Sequence, residues 1–422
     1  MAYNILMVAP TSFFADYGCH VRILEEVYAL QQAGHRVTVC TYHTGNDVPG
    51  LTIERSLNVP WRKGVQVGSS RHKLYFDAML ALKGLQTTLK IKPDIIHAHL
   101  HEGALIGFPL KWLRLGRAPL IFDYQGSLTH EMVDHRFLRR DGPFYAPTRK
   151  LEKIINCMAD TLITSSYNAA SILREQFDYP ADKIVTVVDG VNAERYHPHT
   201  SPAEQAATLQ LKQELGIPSN RKVVVYLGLL APYQGTNLLL EAAQLIRKKR
   251  DDVHFVIMGY PGVDSYRELA QYLGLNDCVI FPGRIPYEQA PRYLALGDVA
   301  VAPKMSVTEG AGKIPGYMAM ELPTVTFDTP VSREFLAGLG LYAELGNVQS
   351  LANQIQHALS PQVQQSGLGA ALRLRVLEKF SLDNARRQIE DVYAQALAGK
   401  AVAKVRPEIL VNDEPVYNNY VK

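Results

Sequence analysis

Short apolar runs alternate along the chain with longer stretches of helical spacing. Ile5–Ala9 is an apolar run ended by Pro10, and a helical pattern from Val21 to Ala33 stops at Gly34. Val37–Thr41 repeats the apolar run, Lys73–Lys90 the helical one, and Ile95–His97, Leu120–Tyr124, Thr161–Thr164 and Ile184–Val188 complete a first set of strands. Near-continuous apolar runs of this length are what strands covered on both faces require, so the sheets are predicted to be parallel with helices on each side. The pattern then starts afresh. After the polar stretch His197–Gln205 come strand Lys222–Gly228, helix Thr236–Lys249, strand His254–Met258 and helix Tyr266–Leu273. Strand Val279–Pro282, helix Pro291–Leu296, strand Val299–Ala302 and helix Ile314–Met320 follow. The predicted class is α/β, with two Rossmann-like doubly wound parallel sheets facing across a cleft. Residues 1–200 form the first domain and 201–381 the second. A last helix, Leu382–Ala398, packs back across the hinge, and residues 399–422 show no period and read as a tail.

Composition narrows the function more than the fold. The formal charge of +3 over 422 residues is too weak a field to select nucleic acid as a partner. Cys19, Cys40, Cys157 and Cys278 are dispersed, which suits a reducing, cytoplasmic setting. Met1–Pro10 has no basic leader region, and no window of about 18 apolar residues predicts a membrane span. The stretch Arg136–Lys153 mixes basic and aromatic residues; it reads either as a solvated loop or as a peripheral contact with the inner face of a membrane.

The most informative segment is Val301–Val325, V-A-P-K-M-S-V-T-E-G-A-G-K-I-P-G-Y-M-A-M-E-L-P-T-V. A strand enters a glycine-rich turn and leaves as a helix, an arrangement that aims backbone N–H groups and a positive helix end at whatever lies above. Gly310 and Gly312 let the backbone approach a bulky anion, Lys313 adds a cation, and Glu309 offers acceptors for sugar hydroxyls. The plainer reading is a tight turn with a solvated Glu and Lys.

This segment resembles the donor-site signature of the retaining family 4 glycosyltransferases, which have the GT-B fold. Other pieces fall in the same order: D-Y-G-C-H-V-R-I in the first loop, A-G-H-R-V-T-V and P-D-I-I-H-A-H at the next strands, and D-K-I-V-T-V-V-D-G-V-N-A-E-R-Y-H-P before the hinge. Y-L-G-L-L-A-P-Y-Q-G-T-N-L-L-L-E-A and I-F-P-G-R-I-P-Y-E-Q continue the series in the second half. The resemblance implies transfer of a sugar from a nucleoside-diphosphate sugar, with retention, without a metal and without any other cofactor. It implies that Glu309 contacts the donor sugar and that Gly310, Ala311 and Gly312 cradle the diphosphate. By the same resemblance Gly235 lies in the second-domain loop of the donor site, backbone around Gly283 and Arg284 holds the base, and Gly18 and Cys19 help close the site. The acceptor stays open among a carbohydrate such as a polysaccharide, a lipid-linked glycan and a small metabolite. A family histidine near the donor sugar aligns with Gln125 in F-D-Y-Q-G-S, which with Glu309 and His101 makes up the expected catalytic group.

Besides Gln125, the sequence departs from that pattern at four places. Leu229 or Leu230 and Gln234 stand where an Arg and a Lys are usual, Gly316 replaces the ribose-binding Glu, and Glu321 replaces a helix-ending Gly. Lys313, Lys304 and Arg284 are the candidates to supply the missing positive charge. His97, His99 and His101 alternate, so on an extended strand they share a face, with His99 or His101 lining the cleft. No carboxylate spacing beside them predicts a metal site. His130 and His135 either face the acceptor or are solvated. Arg22 either reaches a phosphate or, as the helical spacing favours, pairs with Glu25 or Glu26. Three functions stay open here: a glycosyltransferase, a sugar-nucleotide epimerase, and a catalytically silent binding protein on the same fold.

Overall fold

In the computed structural model, which describes residues 2–16, 18–58, 73–135 and 137–399, two parallel sheets face one another. The first comprises β1 (Asn4–Ala9), β2 (Arg36–Thr41), β3 (Thr52–Arg55), β4 (Ile95–His99), β5 (Leu120–Tyr124), β6 (Thr161–Thr164) and β7 (Ile184–Thr186), in the order β3-β2-β1-β4-β5-β6-β7. The second comprises β8 (Lys222–Leu227), β9 (Val253–Met258), β10 (Val279–Gly283), β11 (Val299–Ala302), β12 (Thr324–Phe327) and β13 (Leu341–Ala343), in the order β10-β9-β8-β11-β12-β13. Every pairing is parallel. The central strands are buried end to end, as the apolar runs predict. The short, half-polar edge strand β3 is one that the run pattern does not reveal. Expected strands and helices lie within a few residues of those observed; β7, for instance, ends at Thr186 rather than Val188. The expected tail lies, apart from Gly399, outside the described residues, as does Arg136.

In each sheet the strand order reverses once, between β1 and β4 and between β8 and β11. Loops leaving neighbouring strands diverge at such a point and open a crevice at the carboxyl ends. The two crevices face each other. The second domain starts with helix Pro202–Glu214, fixed by a capping box in which Ser201 and Glu204 satisfy each other's backbone N–H groups. The final helix, Leu382–Leu397, packs on the first helix, Gly18–Gln32. His35 bonds Glu390 at 3.1 Å, and His97 Nδ1 meets the Tyr393 hydroxyl at 2.7 Å.

Candidate donor and acceptor site

A cavity of about 390 Å³ occupies the space between the two sets of strand ends. On its second-domain side the turn after β11 carries Glu309. One carboxylate oxygen, Oε2, is 2.7 Å from Lys304 Nζ, while Oε1 is buried without a hydrogen-bond partner. Burial pushes the Glu309 carboxyl up, but the Lys304 charge outweighs it and holds the group below the usual carboxylate range. Lys304 also donates to the Gly310 carbonyl at 2.7 Å, so it braces the turn rather than standing free. Space at 312 is tight: a Cβ there would sit 3.0 Å from Asp189 Oδ2 of the opposite domain, which would have to shift.

Lys313 opens the helix Lys313–Ala319 and turns back under it. Its Nζ donates to Gln234 Oε1 at 3.0 Å and to the Tyr226 hydroxyl at 3.2 Å, and lies 4.3 Å from the Tyr226 ring centroid. Gly228 gives it room, since a Cβ there would be 2.6 Å from Nζ. Burial, helped by the Lys304 charge, brings the ammonium down to about 7. Among the described residues no carboxylate pairs with it. A cation without a counter-charge therefore sits beside Gln234, the position where the resemblance expects a lysine.

Three expected donor residues lie outside the cavity lining. Arg284 reaches across the cleft to Asp16, with Nε 2.8 Å from Oδ2, and lies over the Tyr260 ring; it does not line the cavity. Asp16 also accepts from the Tyr287 amide at 2.8 Å, and the Tyr260 hydroxyl donates to the Ala15 carbonyl, so the first loop is clasped to the second domain. Gly283 ends β10 with φ +84° and is likewise outside the lining, whereas Ile285 and Tyr287 are part of it. Gly235, at φ +75°, has a packing role: a side chain there would collide with the Pro303 carbonyl. Gly18, Cys19, Gly310, Ala311, Gly312 and Lys313 do line the cavity. Burial pushes the Cys19 thiol up to about 12, which leaves it no nucleophilic thiolate at neutral pH.

On the first-domain side Gln125 follows β5, with Nε2 donating to Asp123 Oδ2 at 2.8 Å. Asp123 also receives both arms of Arg22, at 2.9 and 2.8 Å, and His99 Nδ1 at 3.0 Å. Burial raises the Asp123 carboxyl, but Arg22 outweighs it and holds the group well below the usual range. Arg22 spends its remaining donors on Asp189 Oδ1 at 2.7 Å and Val187 O at 3.1 Å, and lies 3.2 Å from Glu26. It is thus the buried cation of a carboxylate cluster, pairing with Glu26 as the helical spacing favours, and not a free phosphate ligand.

The histidine expectations are corrected in part. Leu100 takes φ +62°, so the strand ends at His99 and the alternation does not extend to His101, which sits in the first turn of helix Leu100–Leu113. His101 touches the cavity, but its Nε2 is 3.6 Å from Glu152 and its ring packs edge-on against Phe122 and Tyr124. His97 and His99 are fully buried and stacked 4.6 Å apart beneath Asp123, not in the cleft wall. Burial holds His97 well below its ordinary value, hence neutral. His130 is buried behind its own helix and does not face the cavity, whereas His135 does, with its ring 4.4 Å from that of Tyr233. Folding also brings together carboxylates that are far apart in the chain. Glu26, His97, His99 and Asp123 have ligand atoms within 4.8 Å of one another, a set able to hold a metal. Arg22 already bonds or contacts both carboxylates of that set, so its positive charge is supplied from within.

Asp123, Asp189 and Glu131 are site residues that sequence reasoning passed over. Asp123 had a signal, a charge interrupting the buried run L-I-F-D-Y. Glu131 lines the cavity opposite Glu309, and burial together with the Glu309 charge pushes it up to about 7.

Two doubly wound parallel sheets facing across a cleft define a GT-B protein, and the glycine turn with Lys313 lines that cleft. Comparison with known proteins gives the family. Residues 17–190 match the glycosyl transferase 4-like domain and residues 208–373 the glycosyl transferases group 1, and the chain belongs to this family. It is 27% identical over 281 residues to a D-inositol 3-phosphate glycosyltransferase of Corynebacterium glutamicum, covering 63% of this chain and 64% of that protein. The counterpart from Corynebacterium aurimucosum is 27% identical over 321 residues, 72% of each chain. The fold is similar to that of sucrose-phosphate synthase from Thermosynechococcus elongatus, with TM-score 0.78 and 19% identity over 94% of this chain and 100% of that one. It is also similar to Anabaena HepE in complex with UDP and glucose, with TM-score 0.74 and 19% identity over 93% and 99%.

Proposed function

We propose that the chain moves a sugar from a nucleoside-diphosphate sugar to an acceptor hydroxyl, with retention and without a metal. The observation that carries this reading is the pairing around the glycine turn: Glu309 keeps one buried oxygen unpartnered, and the part-buried Lys313 amine meets Gln234 and the Tyr226 hydroxyl but no carboxylate among the described residues. The diphosphate lies on the turn and the helix start, where backbone amides and Lys313 stabilise the charge that develops as it leaves. Glu309 accepts from hydroxyls of the donor sugar through Oε1. Gln125, held by Asp123, faces the same space from the other domain and orients the reacting sugar. The acceptor enters over Glu131 and Lys73, and its carbohydrate character is supported by the relatives, whose names specify an inositol phosphate. UDP-glucose, which HepE binds, is the first donor to try.

A thermal-shift series with UDP-, GDP- and ADP-glucose tests the reading. One of them is expected to raise Tm of the wild type by several degrees at about 100 times its Kd. Glu309→Ala and Lys313→Ala should each reduce that shift. A wild type that responds to none of the nucleotides removes the donor site. Equal binding by Lys313→Ala removes the role given to Lys313.

A further inference from the structure

Three helices on the outer side of the first sheet lie side by side: Lys73–Ile91, then Leu100–Leu113, then Tyr145–Asn156. Each spends one apolar face on the sheet or its neighbours, through Phe76 and Leu80, Ile106 and Leu110, and Ile155. A surface helix ordinarily turns a polar face to water. These do not. On the first, Leu74, Leu82, Leu85 and Leu89 form an exposed stripe at helical spacing, with Leu74 79% exposed. On the second, Leu105, Trp112 and Leu113 point outward; on the third, Leu151 and Ile154 do, with Phe144 just before its start. Isolated exposed apolar side chains are common, but continuous stripes on three neighbouring helices are not.

The charges on this face are mainly positive, its bordering acids Glu54, Asp141 and Asp178 being paired with Lys90, Arg139 and Lys153. The exposed ionisable residues of the three helices are Lys90, Lys150 and Lys153, and Arg117 and Arg140 border them in the adjoining loops. The acidic residues of the same helices are turned inward: Asp77 accepts from the Tyr42 hydroxyl, Glu102 from Lys73, and Glu152 from Thr129. Among the described residues Lys150, Arg117 and Arg140 have no ion pair. An apolar layer bordered by unpaired cations complements a bilayer with anionic headgroups, whereas two copies of the face would bring like charges together. No described helix is long and apolar enough to cross a membrane, so the contact is one of lying on the surface.

We infer that this three-helix face docks the protein on an anionic lipid surface. Lys73, His101 and Glu102, at the starts of the first two helices, line the cleft, so the docked bilayer lies next to its first-domain side. That an acceptor then arrives from the bilayer rests on the function proposed above; the docking does not.

Flotation of the full chain with vesicles tests it. Vesicles of equal parts phosphatidylglycerol and phosphatidylcholine are expected to carry the protein at least tenfold more strongly than phosphatidylcholine alone. Leu85→Gln/Trp112→Gln/Leu151→Gln, checked for an unchanged Tm, should lose tenfold or more, while Lys248→Glu/Lys249→Glu on the second domain changes nothing. In a Trp61→Phe background Trp112 is the remaining tryptophan, and its emission should shift to the blue on the anionic vesicles. Wild-type protein that stays unbound, or a triple variant that floats like the wild type, overturns the inference. So does a concentration-dependent dimer, dissolved by the triple variant, that shows no vesicle binding. These readouts need no nucleotide, so their failure leaves the donor site untouched.

Discussion

The part-buried Lys313 and the buried Glu25 lack an opposite charge in direct contact, and desolvation moves their proton equilibria in opposite directions. The Lys313 ammonium falls to about 7 and the Glu25 carboxyl, with Oε2 unpartnered, rises to about 7. The unfolded chain binds the lysine proton up to its ordinary value of 10.5, so the native state binds fewer protons between 7 and 10.5 and its stability rises with pH there. For Glu25 the native state keeps a proton between 4.5 and 7 that the unfolded chain has lost, so stability falls across that window. Glu25→Gln should therefore leave Tm unchanged near pH 4.5 and raise it above pH 7, by a stability increment on the order of 3 kcal/mol. Lys313→Met should gain most below pH 7 and lose its advantage by pH 10. Thermal melts from pH 4.5 to 10 check both. The identities of Glu309, Lys313 and the glycines were legible in the chain. Their partners were not, because Gln234, Tyr226 and Asp189 reach the turn only after both sheets have formed.

At the scale of elements, the turn after β11 and the end of the following helix depend on backbone conformations that side chains resist. Glu321 holds φ +59°, the left-handed region where glycine alone is unstrained, as its place at the helix end led us to expect. Glu321→Gly should stabilise the chain by up to about 1 kcal/mol in urea denaturation. Gly235→Ala should do the opposite and cost about 2–4 kcal/mol, because a positive φ and a collision with the Pro303 carbonyl act together. Strands were readable because buried parallel strands are continuous apolar runs. Helix Leu100–Leu113 was hidden for a related reason: its outward stripe is apolar as well, so no polar face marks its period.

Across the whole molecule the first loop holds the two domains together at the cleft mouth, through Asp16 with Arg284 and Tyr287 and through Tyr260 with Ala15. The Arg284 side chain is 36% exposed, so the ion pair is partly screened. A double-mutant cycle of Asp16→Asn and Arg284→Gln should give a coupling of about 1 kcal/mol in nucleotide binding, and no coupling would mean the two residues act separately. By itself the sequence determined the two parallel sheets and the glycine turn after Val299–Ala302, because hydrophobic period and glycine placement act over a few residues. Only the tertiary structure decided which charges are free. It gave Arg22 to Asp123 and Arg284 to Asp16, and it left Lys313 without a counter-charge. Pairing is a matter of distances between groups more than a hundred residues apart in the chain, which no local pattern encodes.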